Sequence, residues 1–388
     1  MHRGRSSLNR HSGAASPAHT GRMGVDLGGI EFYAGPPVLG GPDDLDAVIR
    51  TFIDGATTRL LVAVQELDSR LIADAVLGAR ARRVRTQIIL EGDYLREAKP
   101  LLDPWLAGGE NEGNRAIHAA LLRAGIDLVT DLNPNIFHQK FIVRDPGKPT
   151  AAVLTGSANF THTDTGTNPP GMLDKPGNNL NHVVVLHGRS ASELYLAEFE
   201  RLRSGTFGDL HERHEPKPRE FRLGGIRVKP VFAPEQGPEM EIMKQMLKAT
   251  SRVDFAMFTF AQSSGIDDTM AVMLKGGLPV RGVLDRGQGS QKWAATEFLR
   301  KAGAHLFENT PGNGVRKIHH KLMVIDQQLT IVGSFNYTAP AATLNDENIV
   351  VLGDLEETDP DAIAAQKRLA GYALAEIDRI IADLSRPA

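Results

Sequence analysis

His138-Gln139-Lys140-Phe141-Ile142-Val143-Arg144-Asp145 and, in the other half of the chain, His319-His320-Lys321-Leu322-Met323-Val324-Ile325-Asp326 share the pattern H-x-K-x-x-x-x-D. Each runs on to a Gly-Ser-x-Asn, Gly156-Ser157-Ala158-Asn159 after the first and Gly333-Ser334-Phe335-Asn336 after the second. One copy alone reads as an ordinary strand carrying a surface histidine and lysine; two copies with matched downstream residues mark an internal duplication. A strand turns residues i and i+2 to the same face, so His138 projects with Lys140, and His319 with Lys321. The apolar residues 141–143 and 322–325 carry each strand into a core. Asp145 and Asp326 then arrive at its far end, where a carboxylate can tie a loop or orient a histidine.

Outward from these strands the two halves stay in step. The apolar run 59–65 parallels 252–258, and 84–90 parallels 280–285, each short and partly β-branched in the manner of a buried strand. Helical spacing over 70–81 and 267–275 separates them. Segments 116–125 and 294–303 follow as amphipathic helices closed by Gly125 and Gly303. After 126–129 and 304–307 come the two H-x-K strands, the strands ending in Gly-Ser, and a last strand at 183–186 or 349–352. A helix over 192–203 follows in the first half, and one over 361–381 packs onto the second. This alternation predicts an α/β fold, with helices on the faces of a sheet in each of two lobes. The expected boundaries are a lobe at 23–210, a polar linker at 211–222 with Pro216 and Pro218, and a lobe at 223–388 that ends in the C-terminal helix.

Composition narrows the function classes. Over 388 residues the chain is 41% hydrophobic and 23% charged, ordinary for a globular protein of two domains. No run approaches the roughly 20 apolar residues of a spanning helix, so any membrane contact is expected to be peripheral. With 44 Lys+Arg against 47 Asp+Glu the net charge is -3, which excludes a whole-molecule cationic field but leaves room for a local basic groove. A cysteine count of 0 removes disulfide scaffolds and thiolate metal sites. Residues 1–22 hold Arg3, Arg5, Arg10 and Arg22 with no acidic side chain and no apolar stretch, and are expected to be a disordered extension. They lack the apolar segment of about 7 to 15 residues that a signal peptide needs, so a cytoplasmic location is expected.

The duplicated residues fit one chemistry. Cleaving a phosphodiester needs a nucleophile, a proton donor for the leaving alkoxide, and donors for the charge on the nonbridging oxygens. Each lobe offers a single histidine in this motif. If the H-x-K faces oppose each other, one histidine can attack while the other protonates the leaving group and later activates water. Lys140 and Lys321 would neutralise the phosphate, with Ser157, Asn159, Ser334 and Asn336 as further donors, and no metal or other cofactor is expected. Other features read as structure. The segment Gly287-Gln-Gly289-Ser-Gln-Lys292 lacks phosphate-loop spacing and reads as a strand-to-helix loop. His211 and His214 lack further ligands, and Arg80, Arg82, Arg83 and Arg85 read as a solvated helix end.

The duplicated H-x-K-x4-D with Gly-Ser-x-Asn resembles the phospholipase D superfamily over roughly residues 30 to 355. The second copy, with Asn345-Asp346-Glu347 downstream, is most similar to the branch holding bacterial endonucleases and mitochondrial cardiolipin hydrolases. The resemblance implies two similar mixed-sheet α/β/α lobes related by a pseudo-twofold axis, with the active site between them. It also implies a covalent phosphohistidine formed without metal, His138 as nucleophile and His319 as acid/base. One departure stands out: where the second copy has Asn345-Asp-Glu347, the first has Asn179-Leu-Asn181, a neutral amide in place of the carboxylate. The first copy also inserts residues 161–177, rich in Thr, Gly and Pro, at the expected rim.

The expected activity is therefore hydrolysis of a phosphodiester, with a phospholipid head group as the favoured substrate. Met172, Leu173, Phe207 and Trp293 are candidates for an apolar rim. An endonuclease acting on DNA or RNA by the same mechanism is the alternative, and a catalytically silent phosphate-binding scaffold is a second. Aromatic content of 6% and a negative net charge count against strand binding, which uses stacking rings and a cationic groove.

Overall fold

The computed structural model describes residues 24–167, 177–210 and 218–388. The expected N-terminal extension, His211 and His214 of the expected linker, and Met172 and Leu173 lie outside them.

Sequence runs that are apolar at every position form strands covered on both faces. Residues 60–64 and 322–325 are such runs, and each of their side chains is fully buried. The first sheet is ordered Val25–Asp26, Ile30–Gly35, Asn178–His187, Ala152–Gly156, Lys140–Arg144, Arg59–Val64, Arg85–Leu90, Asp127–Thr130. The second repeats this order with Ile226–Ala233, Glu347–Leu352, Leu329–Gly333, Lys321–Ile325, Val253–Met257, Val280–Leu284 and His305–Asn309. In each sheet the last three strands named run parallel and the H-x-K strand pairs antiparallel to the first of them, so both sheets are mixed. The pairings Val64 with Lys140 and Met257 with Lys321 put both lysines at the C-terminal ends of those parallel strands, where ligand sites in open α/β sheets gather.

Helices on the outer faces close the two outer cores. Arg70–Ala81 is capped by the Ser69 hydroxyl, which accepts from the Ile72 amide at 3.4 Å, and buries Ile72, Ala73, Val76 and Ala79 at helical spacing. Full burial of each larger aliphatic side chain stabilises the packing by about 1.5–3 kcal/mol. Between the sheets lies a third core that belongs to both lobes. Phe32, Phe141 and Val184 of the first sheet meet Val228, Val324 and Val350 of the second there, with Tyr195 and Phe199 of the helix Arg189–Arg203 and Leu369 and Ile377 of Pro360–Arg379.

The C-terminal helix packs onto the second lobe, against Ile226–Ala233, Val253–Met257, Lys321–Ile325 and Leu329–Gly333, and reaches the first as well: Tyr372 meets Phe32 edge-on at 5.7 Å and donates to Asp43, and Arg379 donates to the Leu39 carbonyl at 2.8 Å. One expectation changes. The second sheet begins inside the expected linker, because Phe221–Leu223 pairs with Ile226–Ala233. A further strand, Val315–Ile318, leaves the second lobe and pairs in parallel with Asn178–His187 of the first. The lobes are thus joined by a common core and by a sheet crossing.

Candidate active site

The joint is also polar, and it places the histidines. The His138 amide donates to the Asp346 carbonyl and the Asp346 amide to the Ile136 carbonyl, while the His319 amide donates to the Leu180 carbonyl. Gln139, between His138 and Lys140, donates to the Glu347 carbonyl at 3.1 Å and accepts from the Asn348 amide at 2.7 Å. Each H-x-K strand is therefore anchored at its histidine end by the last strand of the other lobe. His138 and His319 both line one cavity of about 440 Å³ between the lobes.

Behind the cavity wall the two copies exchange partners. His138 Nδ1 lies 2.6 Å from Glu347 Oε2, and His319 Nδ1 lies 2.9 Å from Asn181 Oδ1. The residue that departs from the repeat in the first copy thus faces the histidine of the second, and His138 receives the carboxylate. Ser334 donates to Glu347 Oε2 at 2.6 Å, and Ser157 to Asn181 Oδ1 at 2.8 Å. With Oε2 accepting from both neighbours, the His138 proton sits on Nδ1 and its Nε2 carries the lone pair.

The serines expected as phosphate donors are spent on these side chains. Their glycines serve strand packing: a Cβ on Gly156 would stand 2.3 Å from the His182 carbonyl oxygen, and one on Gly333 2.2 Å from that of Asn348. Asn159 and Asn336 do line the cavity, and each has a buried Oδ1 without a hydrogen-bond partner.

Lys140 and Lys321 lie fully enclosed beneath the histidines. Lys140 donates to Gln65 Oε1 at 3.1 Å and to the His138 carbonyl at 2.8 Å; Lys321 donates to the His319 carbonyl at 3.0 Å. An ammonium has three donors, so each can still turn one toward an anion. Burial lowers Lys140 to about 8, and burial together with Lys140 holds Lys321 well below the ordinary lysine value. Burial, then Lys140 and Lys321, holds His138 far below its usual range; His319 is held down by burial, Lys321 and Lys317. Both shifts favour the neutral imidazole. Burial pushes Glu347 up to about 8 against the pull of Lys140. A phosphate entering among these cations would relieve their mutual repulsion.

Asp145 and Asp326 stand apart from the cavity. Asp145 accepts from the Thr57, Thr58 and Arg59 amides and Asp326 from those of Thr250, Ser251 and Arg252, the corresponding loop in each lobe. Between loop-tying and histidine orientation, the geometry selects the former. Burial works against ionising Asp145, and the converging amides and hydroxyls overcome it and hold its carboxyl well below the ordinary range.

The rim departs from expectation in one place. Phe207 is 2% exposed and packs edge-on against Phe137 at 5.8 Å, so it is core and not rim, while Trp293 is 45% exposed. Residues not singled out in the sequence complete the cavity wall: Gln65, Glu66, Tyr94 and Asp164 on the first-lobe side, Phe258, Arg316 and Lys317 on the second. Gln65 and Phe258 were findable, being the first residues beyond the parallel strands Arg59–Val64 and Val253–Met257. Among the described residues no group of three or more His, Asp and Glu side chains is arranged to hold a metal ion.

The chain is similar to known proteins both in sequence and in fold. Residues 49–203 and 242–361 match the family described as cardiolipin synthase, PLD-like domain. A phospholipase D of Rickettsia bellii is 29% identical over 140 residues, 36% of this chain and 67% of that protein. A mitochondrial cardiolipin hydrolase of Chlamydomonas reinhardtii is 32% identical over 106 residues, 27% of this chain and 46% of that one. The chain thus spans about two thirds of the first relative's length and less than half of the second's. The phosphatidylserine synthase of Haemophilus influenzae shares the fold across both lobes, with a TM-score of 0.61 at 12% identity over 94% of this chain and 88% of that one. With the duplicated motifs and two lobes meeting around one cavity, the chain belongs to the phospholipase D superfamily, in the PLD-like domain family of cardiolipin synthases.

Proposed function

We propose that this protein hydrolyses phospholipids at the head-group ester through a covalent phosphohistidine, without a metal ion. The observation that carries the reading is the lining of one cavity by two imidazoles from different lobes, with His138 held by Glu347 in the tautomer a nucleophile needs. His319 takes a proton from solvent as the diester anion enters beside it; His138 Nε2 then attacks phosphorus, the bond to the head-group oxygen breaks, and that oxygen takes the proton from His319. Water then gives a proton to His319 and its oxygen to phosphorus, the P–N bond breaks, and phosphatidic acid leaves. An alcohol in place of water gives transfer instead of hydrolysis. Lys140 and Lys321, with the Asn159 and Asn336 amides, hold the nonbridging oxygens.

Support for a lipid comes from the rim and the surface. Glu66 and Asp164 face the cavity from one lobe and Arg316 and Lys317 from the other, a divided charge that suits a zwitterionic head group better than a continuous polyanion. Both tryptophans of the chain are exposed, Trp105 at 93% and Trp293 at 45%. They occupy corresponding loops, after Arg85–Leu90 and after Val280–Leu284, and tryptophan favours the membrane–water interface. No described helix is long and apolar enough to cross a membrane. Arg316 and Lys317 are also what a nuclease would use, and they carry the second reading.

The test is to incubate the protein in EDTA with vesicles of phosphatidylethanolamine, phosphatidylcholine or cardiolipin and, separately, with single-stranded DNA. Release of head group with phosphatidic acid is expected. Cleavage of DNA alone would replace the lipid reading, and activity that returns only with added metal would refute the mechanism.

A further inference from the structure

The two copies of the repeat differ at two places that complement each other. Thr161 and Thr338 cap matching short helices, accepting from the amides of Asp164 and Ala341, so Asp164 corresponds to Ala341. Gly156 pairs with Val183 and Gly333 with Ile349, so Asn181 corresponds to Glu347. The second lobe has alanine and glutamate at these two places. The first has aspartate and asparagine.

Geometry gives the exchange a meaning. Asn181 is locked: its amide donates to the Asp164 carbonyl at 3.2 Å, and its Oδ1 accepts from Ser157 and faces His319 Nδ1. It aims the ring but brings no charge. Asp164 Oδ2 stands 3.7 Å from His319 Nδ1, and the carboxylate is itself fixed by the Asn159 amide at 2.7 Å and by the Asn179 side chain. It is 1% exposed, on the wall of the reaction cavity. Lys321 and Lys317 of its own lobe and Lys140 and His138 across the joint resist a proton on this ring, and Arg316, Glu66 and Tyr94 share its cavity.

We propose that Asp164 is the counterion of His319, supplying from the neighbouring helix a carboxylate close to the ring, at the histidine that Asn181 leaves without the carboxyl partner His138 has in Glu347. It acts as a positioning residue, since it reaches the substrate only through the imidazole. The proposal deepens the reaction proposed above, in which His319 must hold a proton while the leaving oxygen departs. An opposite charge at this range raises a histidine's proton affinity by about tenfold or more.

The experiment is a histidine-selective 15N NMR titration of the whole chain as wild type, Asp164→Asn, Asn181→Asp and the double variant. Asp164→Asn is expected to lower the proton affinity of His319 about tenfold, Asn181→Asp to raise it, and the double variant to return near the wild type. In parallel, turnover of soluble dihexanoyl phosphatidylcholine should show its alkaline limb moved to lower pH in Asp164→Asn, with kcat down about 10- to 100-fold and KM held, and recovery in the double variant. An unchanged His319 titration in Asp164→Asn overturns the proposal, as does a shift that the second carboxylate cannot restore. Should Asp164→Asn fail to fold, Asp164→Ala, which copies the alanine at the corresponding place in the second lobe, takes its place: a lowered His319 affinity supports the proposal and an unchanged one overturns it. If the titrations behave as expected while the wild type cleaves no diester, the counterion stands and the phosphodiesterase reading falls.

Discussion

Glu347 is a residue whose partner the sequence could not name. It ends a motif of the second lobe yet holds the histidine of the first, at 2.6 Å, and shares its Oε2 with Ser334. Glu347→Gln keeps an acceptor there and replaces the carboxyl whose Oε2 meets both the His138 ring and the Ser334 hydroxyl. Turnover should fall about 10- to 100-fold with little change in KM, measured by steady-state kinetics on a soluble diester. Both histidines, both lysines and both asparagines were legible as a set because the repeat presents each twice. Their exchange across the joint was not legible, since nothing in spacing along the chain says which lobe a side chain will face. Asp164 escaped for another reason: the structure shows that its helix His162–Thr165 has a counterpart in Ala339–Thr343, but the matching residue there is Ala341, so the repeat gives no signal for a carboxylate, and Asp164 gains its place when the helix is folded against Asn178–His187.

Strands and helices were the most readable level. Alternation and apolar runs located the parallel strands, and the helix Arg70–Ala81 falls where its spacing put it. The aspartate of each H-x-K-x4-D belongs to this scale, because it shapes a turn. Asp145 and Asp326 take positive φ values of 49° and 52° and gather the amides of the loop before the adjacent parallel strand. Hydrogen bonds to a charged group are worth roughly 1.5–3 kcal/mol each, and asparagine can keep only some of them, so Asp145→Asn should destabilise the fold by about 2–4 kcal/mol. Urea unfolding would show the loss in midpoint, while the kcat of the folded fraction stays near the wild type. A large drop in kcat without loss of stability would instead make Asp145 part of the chemistry.

At the scale of the whole molecule, the lobes meet through a buried relay that fixes its own protons. His182 Nε2 accepts from the Gly333 amide at 3.2 Å, so its proton is on Nδ1, 3.1 Å from His320 Nδ1. His320 must then donate from Nε2 to Glu376 Oε1, at 3.3 Å. The rings stack at 5.4 Å with 2° between their planes, and burial holds His182 well below its ordinary value. A proton added here would have to face another donor. The unfolded chain takes up that proton below about pH 6.5, so the stability due to neutral His182 is complete above that pH and is lost as the pH falls. The gap in unfolding free energy between the wild type and His182→Gln should therefore shrink by about 1.4 kcal/mol per pH unit below about pH 6.5, followed by urea titrations between pH 7.5 and 5.5. A gap independent of pH would show that His182 is charged in the folded state.

All of these scales converge on two imidazoles serving one phosphorus atom, and a trapped intermediate tests that most directly. With a nitrophenyl diester the leaving group needs little acid, so His319→Ala should form the covalent adduct and release it slowly. Mass spectrometry of the quenched, digested protein is predicted to find the phosphoryl adduct on His138 in His319→Ala, at a higher level than in the wild type, and none in His138→Ala. An adduct on His319, or one that persists without His138, would contradict the account.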